Sequence, residues 1–379
     1  MQLGPAFYVY PGATHTRASH SFGVFHLAKR LLNRLAEQGA DKWLSQEGVF
    51  SFLCAALLHD LGHFPFTHSL KELPLEAHES LTAKIILSEP IKSLVIKAGG
   101  DPDFTAAIID STLAAKNLKL KGDEKELIFY RKLLSGTLDP DKLDYLNRDA
   151  RCCGVPYGAQ DVDFILSCLH PHPVRGTDID EKGITSVESI LFSKYLMYRT
   201  VYWHRSVRSA TAMIKKAVLK ALENGVLIPN ELYHLDDQGF FNLMERKKLE
   251  FHAVRDGQFY VPAAEFHYDE KFHSALSGIN RRTEFEKSLA QALSEKVKKI
   301  TEDKLIIDIP EPISFESDLY IVDRNCFFPE SSSVFKEQMI NSLVKSLRVI
   351  RVFVDKAVFL EKTEKDILQI TEKWLKLLV

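Results

Sequence analysis

The sequence predicts a mainly α-helical protein with a smaller α+β region toward the C-terminus. Three observations predict it. Apolar residues recur at helical spacing through most of the first 225 residues. The stretch from Thr185 to Glu223, nearly 40 residues, holds no proline or glycine. After Gly225 the chain changes character: Pro229, Gly239, Gly257, Pro262 and Gly278 punctuate shorter elements, several of them strand-like.

The elements follow in order. Ser21 to Glu37 places Phe22, Phe25, Leu27, Leu31, Leu32 and Leu35 on roughly one face of a helix. Val49 to Leu58 is almost wholly apolar and reads as a core helix, stopped by Gly62 and Pro65. Glu76–Leu87 and Asp103–Leu113 read as helices. Asp123–Leu134 opens with acidic residues that suit the positive end of a helix dipole. Pro140 fits the first turn of a further helix, with Asp139 as its cap. Gln160–Leu169 is a short helix. Thr185–Glu223 is a long one with a kink or break expected near His204. KLIIDIPEPISF, DLYIVDRNCFF and SLRVIRVFVDK carry strand-like runs, and Glu361 to Leu378 returns to helix. The expected organisation is a helical unit over 1–225 and an α+β unit over 226–379, the latter serving packing or oligomerisation.

Composition narrows the function classes. The 379 residues suffice for one large domain or two ordinary ones. Hydrophobic residues make up 45% and charged residues 26%, as in a globular protein. A net charge of -2 gives no indication of nucleic-acid binding. Cys54, Cys152, Cys153, Cys168 and Cys326 form no CxxC pair and read as free thiols of a reducing compartment. MQLGPAFYVYPG lacks the charged and apolar regions of a signal peptide. No stretch reaches the roughly 20 apolar residues of a membrane span. A cytoplasmic protein without membrane partners is therefore expected.

The chemistry concentrates near the N-terminus. His15, His20, His26, His59, His63, His68 and His78 all precede residue 79, and AALLHDLGHFPFTHSL (55–70) holds four histidine or aspartate side chains within ten positions. Clustered His and Asp offer nitrogen and oxygen ligands for a divalent metal; the plain alternative is a satisfied polar cluster or helix cap. At a helix end with Gly62 beyond it, adjacent His59 and Asp60 can both turn toward one ion. Further ligands must come from elsewhere. THTRASHS (14–21) offers Arg17 and His20. In LDPDKLDYLNRD (138–149), Asp141 stacks on Tyr145 and Asp144 on Arg148 at i,i+4.

The ordered set QLG, YPGATHTRASHS, LLHDLGHFPFTHSL, AHES and LDPDKLDYLNRD resembles the HD-domain metal-dependent phosphohydrolases. More narrowly it resembles the branch of the deoxynucleoside triphosphate triphosphohydrolases and the mammalian SAM-and-HD-domain protein. The resemblance covers roughly residues 2 to 210 and implies an HD-domain helical core. It implies that His20, His59, Asp60 and Asp141 bind one divalent ion (Mn, Fe, Mg, Ni, Co or Zn), with a second ion compatible with His63 and His78. His63, His68 and His78 are implied to handle protons and phosphate oxygens. Arg17, Lys142 and Tyr145 are implied to grip phosphates and sugar. Asp149 would receive the sugar 3′-hydroxyl, and Gln2 and Leu3 would line the sugar and base pocket. Arg199, His204 and Arg208 would form a phosphate-facing patch, although Arg208 falls where relatives can carry Tyr. His15, His26, His170 and His172 receive no role.

The reaction implied is hydrolysis of a deoxynucleoside triphosphate to deoxynucleoside and tripolyphosphate by a homo-oligomer. The alternatives are an HD phosphohydrolase of a nucleoside monophosphate, cyclic or signalling nucleotide, and a non-enzymatic nucleotide sensor. Two departures stand out. Lys71, followed by Glu72, replaces the acidic residue that supports a catalytic histidine in the family. The chain also starts almost at QLG, where relatives have an additional arginine-rich helix.

Overall fold

The computed structural model describes residues 1–113, 124–249, 251–295, 300–359 and 361–376. Asp123 and the last residues of the expected C-terminal helix lie outside them. The helices of the first half are α1 (Arg17–Glu37), α2 (Gln46–Leu58), α3 (Thr67–Leu70), α4 (His78–Ile86), α5 (Ile91–Lys97), α6 (Pro102–Ile109), α7 (Glu124–Leu134), α8 (Pro140–Cys153) and α9 (Val162–Ser167). A small hairpin, β1 (Leu169–His172) and β2 (Gly176–Ile179), leads to α10 (Ile184–Met197), a π-helical turn over Tyr198–Tyr202, and α11 (Arg205–Glu223). The rest comprises α12 (Asp237–Arg246), α13 (His252–Arg255), β3 (Val261–His267), α14 (Glu270–His273), α15 (Ile279–Ser294), β4 (Leu305–Asp308), β5 (Tyr320–Ile321), β6 (Cys326–Phe327), α16 (Phe328–Ser331), α17 (Glu337–Leu347), β7 (Val349–Val354) and α18 (Glu361–Lys376). The protein is mainly α with an α+β C-terminal region. No helix among the described residues is long and apolar enough to cross a membrane.

One large core joins Val24, Leu31 and Leu35 of α1, Phe52 of α2, Phe129 and Tyr130 of α7, Leu143 and Leu146 of α8, and Leu191 of α10. The buried face of α1 holds the expected Leu27, Leu31, Leu32 and Leu35, with Val24 and Ala28 completing it, while Phe22 is 66% exposed. A second core lies around α15, α18 and the antiparallel sheet β3-β7-β4. A third joins Phe64 and Leu70 to α11 and α12. The C-terminal region does not stay apart from the helical unit. Strand β5 pairs in parallel with β2, and Phe315, Leu319, Phe328 and Leu343 enter the first core.

Several boundaries differ from expectation for local reasons. Helix α6 ends at Ile109 because Asp110 turns extended, and its carboxylate accepts hydrogen bonds from the Thr112 amide (2.9 Å), the Thr112 hydroxyl (2.7 Å) and Ser80 (2.9 Å). The long helix is broken at Trp203–His204, as expected, but the turn before the break is π-helical, which shifts the register of the side chains beyond it. The hairpin β1–β2 was not legible, since LHPH lacks strand alternation. In KLIIDIPEPISF only Leu305–Asp308 is strand; residues 309–319 run on as an irregular strap.

Candidate metal and phosphate site

A cavity of about 920 Å³ opens between the first turn of α1, the loop from α2 to α4, the start of α8, the π-turn and the strap. Thr16 caps α1 by accepting the Ser19 amide, which starts the helix so that Arg17 and His20 sit on its first turn. His59 caps the C-terminal end of α2 while keeping helical dihedrals, and Asp60 follows in the turn beyond it. Gly62 permits this turn by close approach rather than by unusual dihedrals. A Cβ there would lie 2.2 Å from the His78 carbonyl oxygen and 2.4 Å from the Thr82 amide. The Gly62 amide donates to Thr82 Oγ1 (2.8 Å), and Thr82 donates to the His59 carbonyl (3.0 Å), pinning the turn to α4. Phe66 then takes a left-handed conformation (φ 63°), a strained choice for an aromatic residue, and opens α3 with His68. Asp139 caps α8 by accepting the Lys142 amide at 2.6 Å, which presents Asp141 and Tyr145 to the cavity.

The four expected ligands converge. His20 Nε2 lies 2.9 Å from Asp141 Oδ1 and 4.0 Å from Asp60 Oδ2. His59 Nε2 lies 3.3 Å from Asp60 Oδ1 and 3.6 Å from Asp141 Oδ1. Ligand atoms of His20, His59 and Asp141 fall within 4.8 Å of one another, and so do those of Asp60, His63 and His78. The donor set fits a divalent ion on two counts. His59 Nδ1 donates to the Ala56 carbonyl (3.0 Å), leaving Nε2 buried without a hydrogen-bond partner. His20 Nδ1 is held by Asp144 Oδ2 at 2.8 Å, and Arg148 grips both Asp144 oxygens at 2.8 Å. Outer partners of this kind orient ligating imidazoles and make them more basic. Burial opposes charge on His20, but hydrogen bonds to Asp141 and Asp144 push its imidazole up to about 10. Burial likewise opposes ionisation of Asp60, but His59, His63 and Arg17 hold its carboxyl well below the usual range.

The second histidine group stacks alongside. His63 Nδ1 is 3.2 Å from Asp60 Oδ1, and His63 Nε2 is 3.1 Å from His68 Nε2. The His63 and His78 rings lie 3.9 Å apart. Burial, reinforced by Arg17 and His78, pushes His68 down to about 4, and burial also lowers His63. Neither Lys71 nor Glu72 supports this group by a hydrogen bond among the described contacts. Glu72 is instead clamped by Lys215 Nζ (2.5 Å) and Arg282 Nη2 (2.6 Å), while Glu79 stands 3.1 Å from His78 Nδ1.

The other expected residues divide. Gln2, Leu3, Arg17, Lys142, Tyr145, Asp149 and Arg208 line the cavity. Arg199 and His204 do not. Arg199 bonds the Tyr195 hydroxyl (2.8 Å), and His204 caps α11 with its ring. The π-turn explains this: its extra residue brings Tyr198, Tyr202 and Trp203 to the wall. Arg208 is buried, with Asp308 taking Nε at 2.8 Å and Nη2 at 2.6 Å. Asp149 is held by His15 Nε2 (2.8 Å) and the Tyr202 hydroxyl (2.7 Å). His15, Tyr202 and Glu311 were missed by sequence reasoning. His15 lies within THTRASHS, but its partner is 134 positions away.

Comparison with known proteins agrees with the geometry. Residues 17–122 match the HD domain, and residues 175–365, half of the chain, match the HD associated region. The uncharacterised protein YwfO of Bacillus subtilis is 32% identical over 259 residues, 68% of this chain and 53% of that protein. The bovine deoxynucleoside triphosphate triphosphohydrolase SAMHD1 is 27% identical over 246 residues, 58% of this chain and 42% of that protein. The chain thus spans about half the length of these relatives. A crystal structure of a hypothetical protein from Aquifex aeolicus superposes with a TM-score of 0.71 at 26% identity, covering 96% of this chain and 90% of that one. Two family regions in order, with His20 and the His59–Asp60 pair in the first and the strap of the second on the same cavity, place this chain in the HD-domain family, with an HD domain followed by an HD associated region.

Proposed function

We propose that this chain is a metal-dependent phosphohydrolase that cleaves deoxynucleoside triphosphates to deoxynucleoside and tripolyphosphate. The observation that carries the reading is the juxtaposition, in one cavity, of a partly buried His-Asp ligand set and a stacked histidine trio. The substrate class is supported by the bovine relative and by the sugar-side wall of Tyr145, Tyr202 and Asp149.

His20, His59, Asp60 and Asp141 would hold the ion, with Asp144 and the Ala56 carbonyl fixing the two imidazoles. Bound there, a divalent ion of the Mn, Fe, Mg, Ni, Co or Zn class supplies charge to polarise the phosphorus centre and acidify water. Arg17 donates to Asp60 at 2.9 Å and still borders the cavity, so it serves both the ligand set and a phosphate oxygen. Water attacks the α-phosphorus in line, forming the new P–O bond as the P–O5′ bond breaks and passing its surplus proton to His63 or His78. His63 and His78 orient and stabilise the reacting phosphate. His68 gives a proton to the departing 5′-oxygen; the charge of the bound polyphosphate raises this imidazole from its depressed value. Asp149 already accepts two hydrogen bonds, and a carboxylate has sites left for a sugar hydroxyl.

The test is incubation of each dNTP with the Mn-loaded protein, with chromatography resolving nucleoside, monophosphate and tripolyphosphate. Deoxynucleoside plus tripolyphosphate is expected, and its loss in a His59→Ala, Asp60→Ala double variant. Orthophosphate released from a nucleoside monophosphate, with every dNTP intact, would replace this reading by the monoesterase one.

A further inference from the structure

The strap 309–319 carries three carboxylates that the reaction above does not use, and two of them, Glu311 and Glu316, stand against cations of the cavity. Its ends are fixed in different cores: Ile309 in the sheet core, Phe315 and Leu319 in the helical core. Between these anchors Glu311, Pro312 and Ile313 form part of the cavity wall. The lysine and arginine side chains lining the cavity, among the described residues, are Arg17, Lys71, Lys142 and Arg208. Two of these four meet the strap. Glu316 Oε2 lies 3.5 Å from Lys142 Nζ and 3.0 Å from Lys194 Nζ, which also donates to the Ser314 carbonyl at 2.8 Å. Glu311 Oε2 lies 3.7 Å from Arg208 Nη1, the corner of the guanidinium that Asp308 leaves open, and Glu311 Oε1 lies 3.0 Å from Lys215 Nζ.

Each cation also has a closer partner, Lys142 Nζ in Asp139 Oδ2 (2.6 Å) and the Gly136 carbonyl (2.9 Å) and Arg208 in Asp308, so the strap carboxylates, at 3.5 and 3.7 Å too long for good hydrogen bonds, add a further negative charge beside cations that keep donor capacity toward the cavity. A phosphate oxygen entering the cavity can make the shorter, charge-assisted contact.

We propose that the strap is an electrostatic guard: Glu311 and Glu316 screen Arg208 and Lys142 in the free protein, and a polyphosphate binds by engaging these two cations in place of the carboxylates. The proposal rests on the polyphosphate reading above and extends it to selectivity. A single phosphate has too little charge to compete for both cations, whereas a triphosphate chain spans several anionic groups. The guard thus sets a preference for polyphosphates over orthophosphate, and it is contributed by the HD associated region rather than by the HD domain.

The experiment titrates inorganic tripolyphosphate and orthophosphate into the Mn-loaded full chain by calorimetry, for wild type, Glu311→Gln and Glu316→Gln. Glutamine keeps the size of the side chain and an acceptor for the neighbouring lysine. Each variant should bind tripolyphosphate about fivefold more tightly, the equivalent of one partly exposed opposing ion pair. The gain should shrink with added salt, and orthophosphate affinity should stay within about twofold. The two carboxylates are changed separately, and thermal unfolding verifies each fold, so a variant that fails to fold leaves the other to decide. Adding Lys142→Met to Glu316→Gln should abolish the gain; a gain that survives without Lys142 overturns the assignment. Unchanged or weaker tripolyphosphate binding in folded variants also overturns it. Wild type that cleaves dNTPs while the variants bind tripolyphosphate no better refutes the guard and leaves the reaction standing. Wild type inert toward dNTPs, with variants that bind tripolyphosphate more tightly, refutes the reaction and leaves the guard.

Discussion

Replacing Asp308 by alanine would strand the Arg208 guanidinium inside the protein. The two side chains are 2% and 6% exposed, and they share two short hydrogen bonds of 2.6 and 2.8 Å. Hydrogen bonds to charged groups are worth about 1.5–3 kcal/mol each, which gives about 3–6 kcal/mol for the two. Breaking a buried pair from one side costs about 3–5 kcal/mol, in agreement. Glu311, at 3.7 Å from Nη1, recovers part of this and favours the lower end. The expected loss is therefore about 3 kcal/mol. Urea unfolding of wild type, Asp308→Ala and the double variant Arg208→Met, Asp308→Leu measures it, provided the denaturant slopes agree. The double variant should regain most of the loss, because no unpaired charge remains. The pH dependence has a definite sign. Burial raises the Asp308 carboxyl, but Arg208 outweighs it and holds the folded-state value below the ordinary one. The stabilisation is thus complete above about pH 4, the unfolded carboxylate value, and is lost as pH falls through the lower folded value. The gap between wild type and Asp308→Ala should accordingly close in acid. An Asp308→Ala protein within about 0.5 kcal/mol of wild type at neutral pH would sink the reasoning, since it would mean that Arg208 is solvated rather than sealed.

Two further outcomes follow from the ligand set. Asp144→Asn should weaken metal binding about 10–100-fold, because the outer partner of His20 loses its charge; metal titration of the stripped protein measures this, and an unchanged affinity would remove Asp144 from the site. Gly23→Ala should act in the same direction through sterics, since its Cβ would lie 1.9 Å from Asp144 Oδ1 and 2.4 Å from Arg148 Nη2. Displacement of Asp144 should lower metal affinity while circular dichroism stays near wild type, and unaltered metal binding would show that the Asp144–Arg148 pair does not set the pose of His20.

Much of the site was legible because its residues are local to helix starts and ends. Asp139 before Pro140 and the HD pair at the end of an apolar run are read from neighbouring positions, whereas the cap Thr16 starts α1 at Arg17, four residues before the expected Ser21. Local rules allowed His59 and Asp60 to share an ion, and the resemblance of the ordered motifs added His20 and Asp141. The misreadings lie where a local rule met a distant partner. Arg199 and His204 were placed in a phosphate-facing patch by resemblance, and the π-turn at 198–202 brings Tyr198, Tyr202 and Trp203 to the cavity wall in their stead. Phe22 was assigned to the buried face of α1, but that face is set by what α2 and α8 present to it.

The sequence by itself determined the helical core and the change of character after residue 225, since these depend on periodicity and punctuation within short windows, while the candidate ligand set came from the resemblance of its ordered motifs. Only the tertiary structure decided which charges the cavity leaves free. The sequence offers Arg208 as an open phosphate ligand, but Asp308 and Glu311, about 100 positions away, already stand against it in the free protein, and Glu72, beside Lys71, is claimed by Lys215 and Arg282. The electrostatic role of a charged side chain depends on its partners and its exposure to water, and both are fixed by packing between segments remote in the chain.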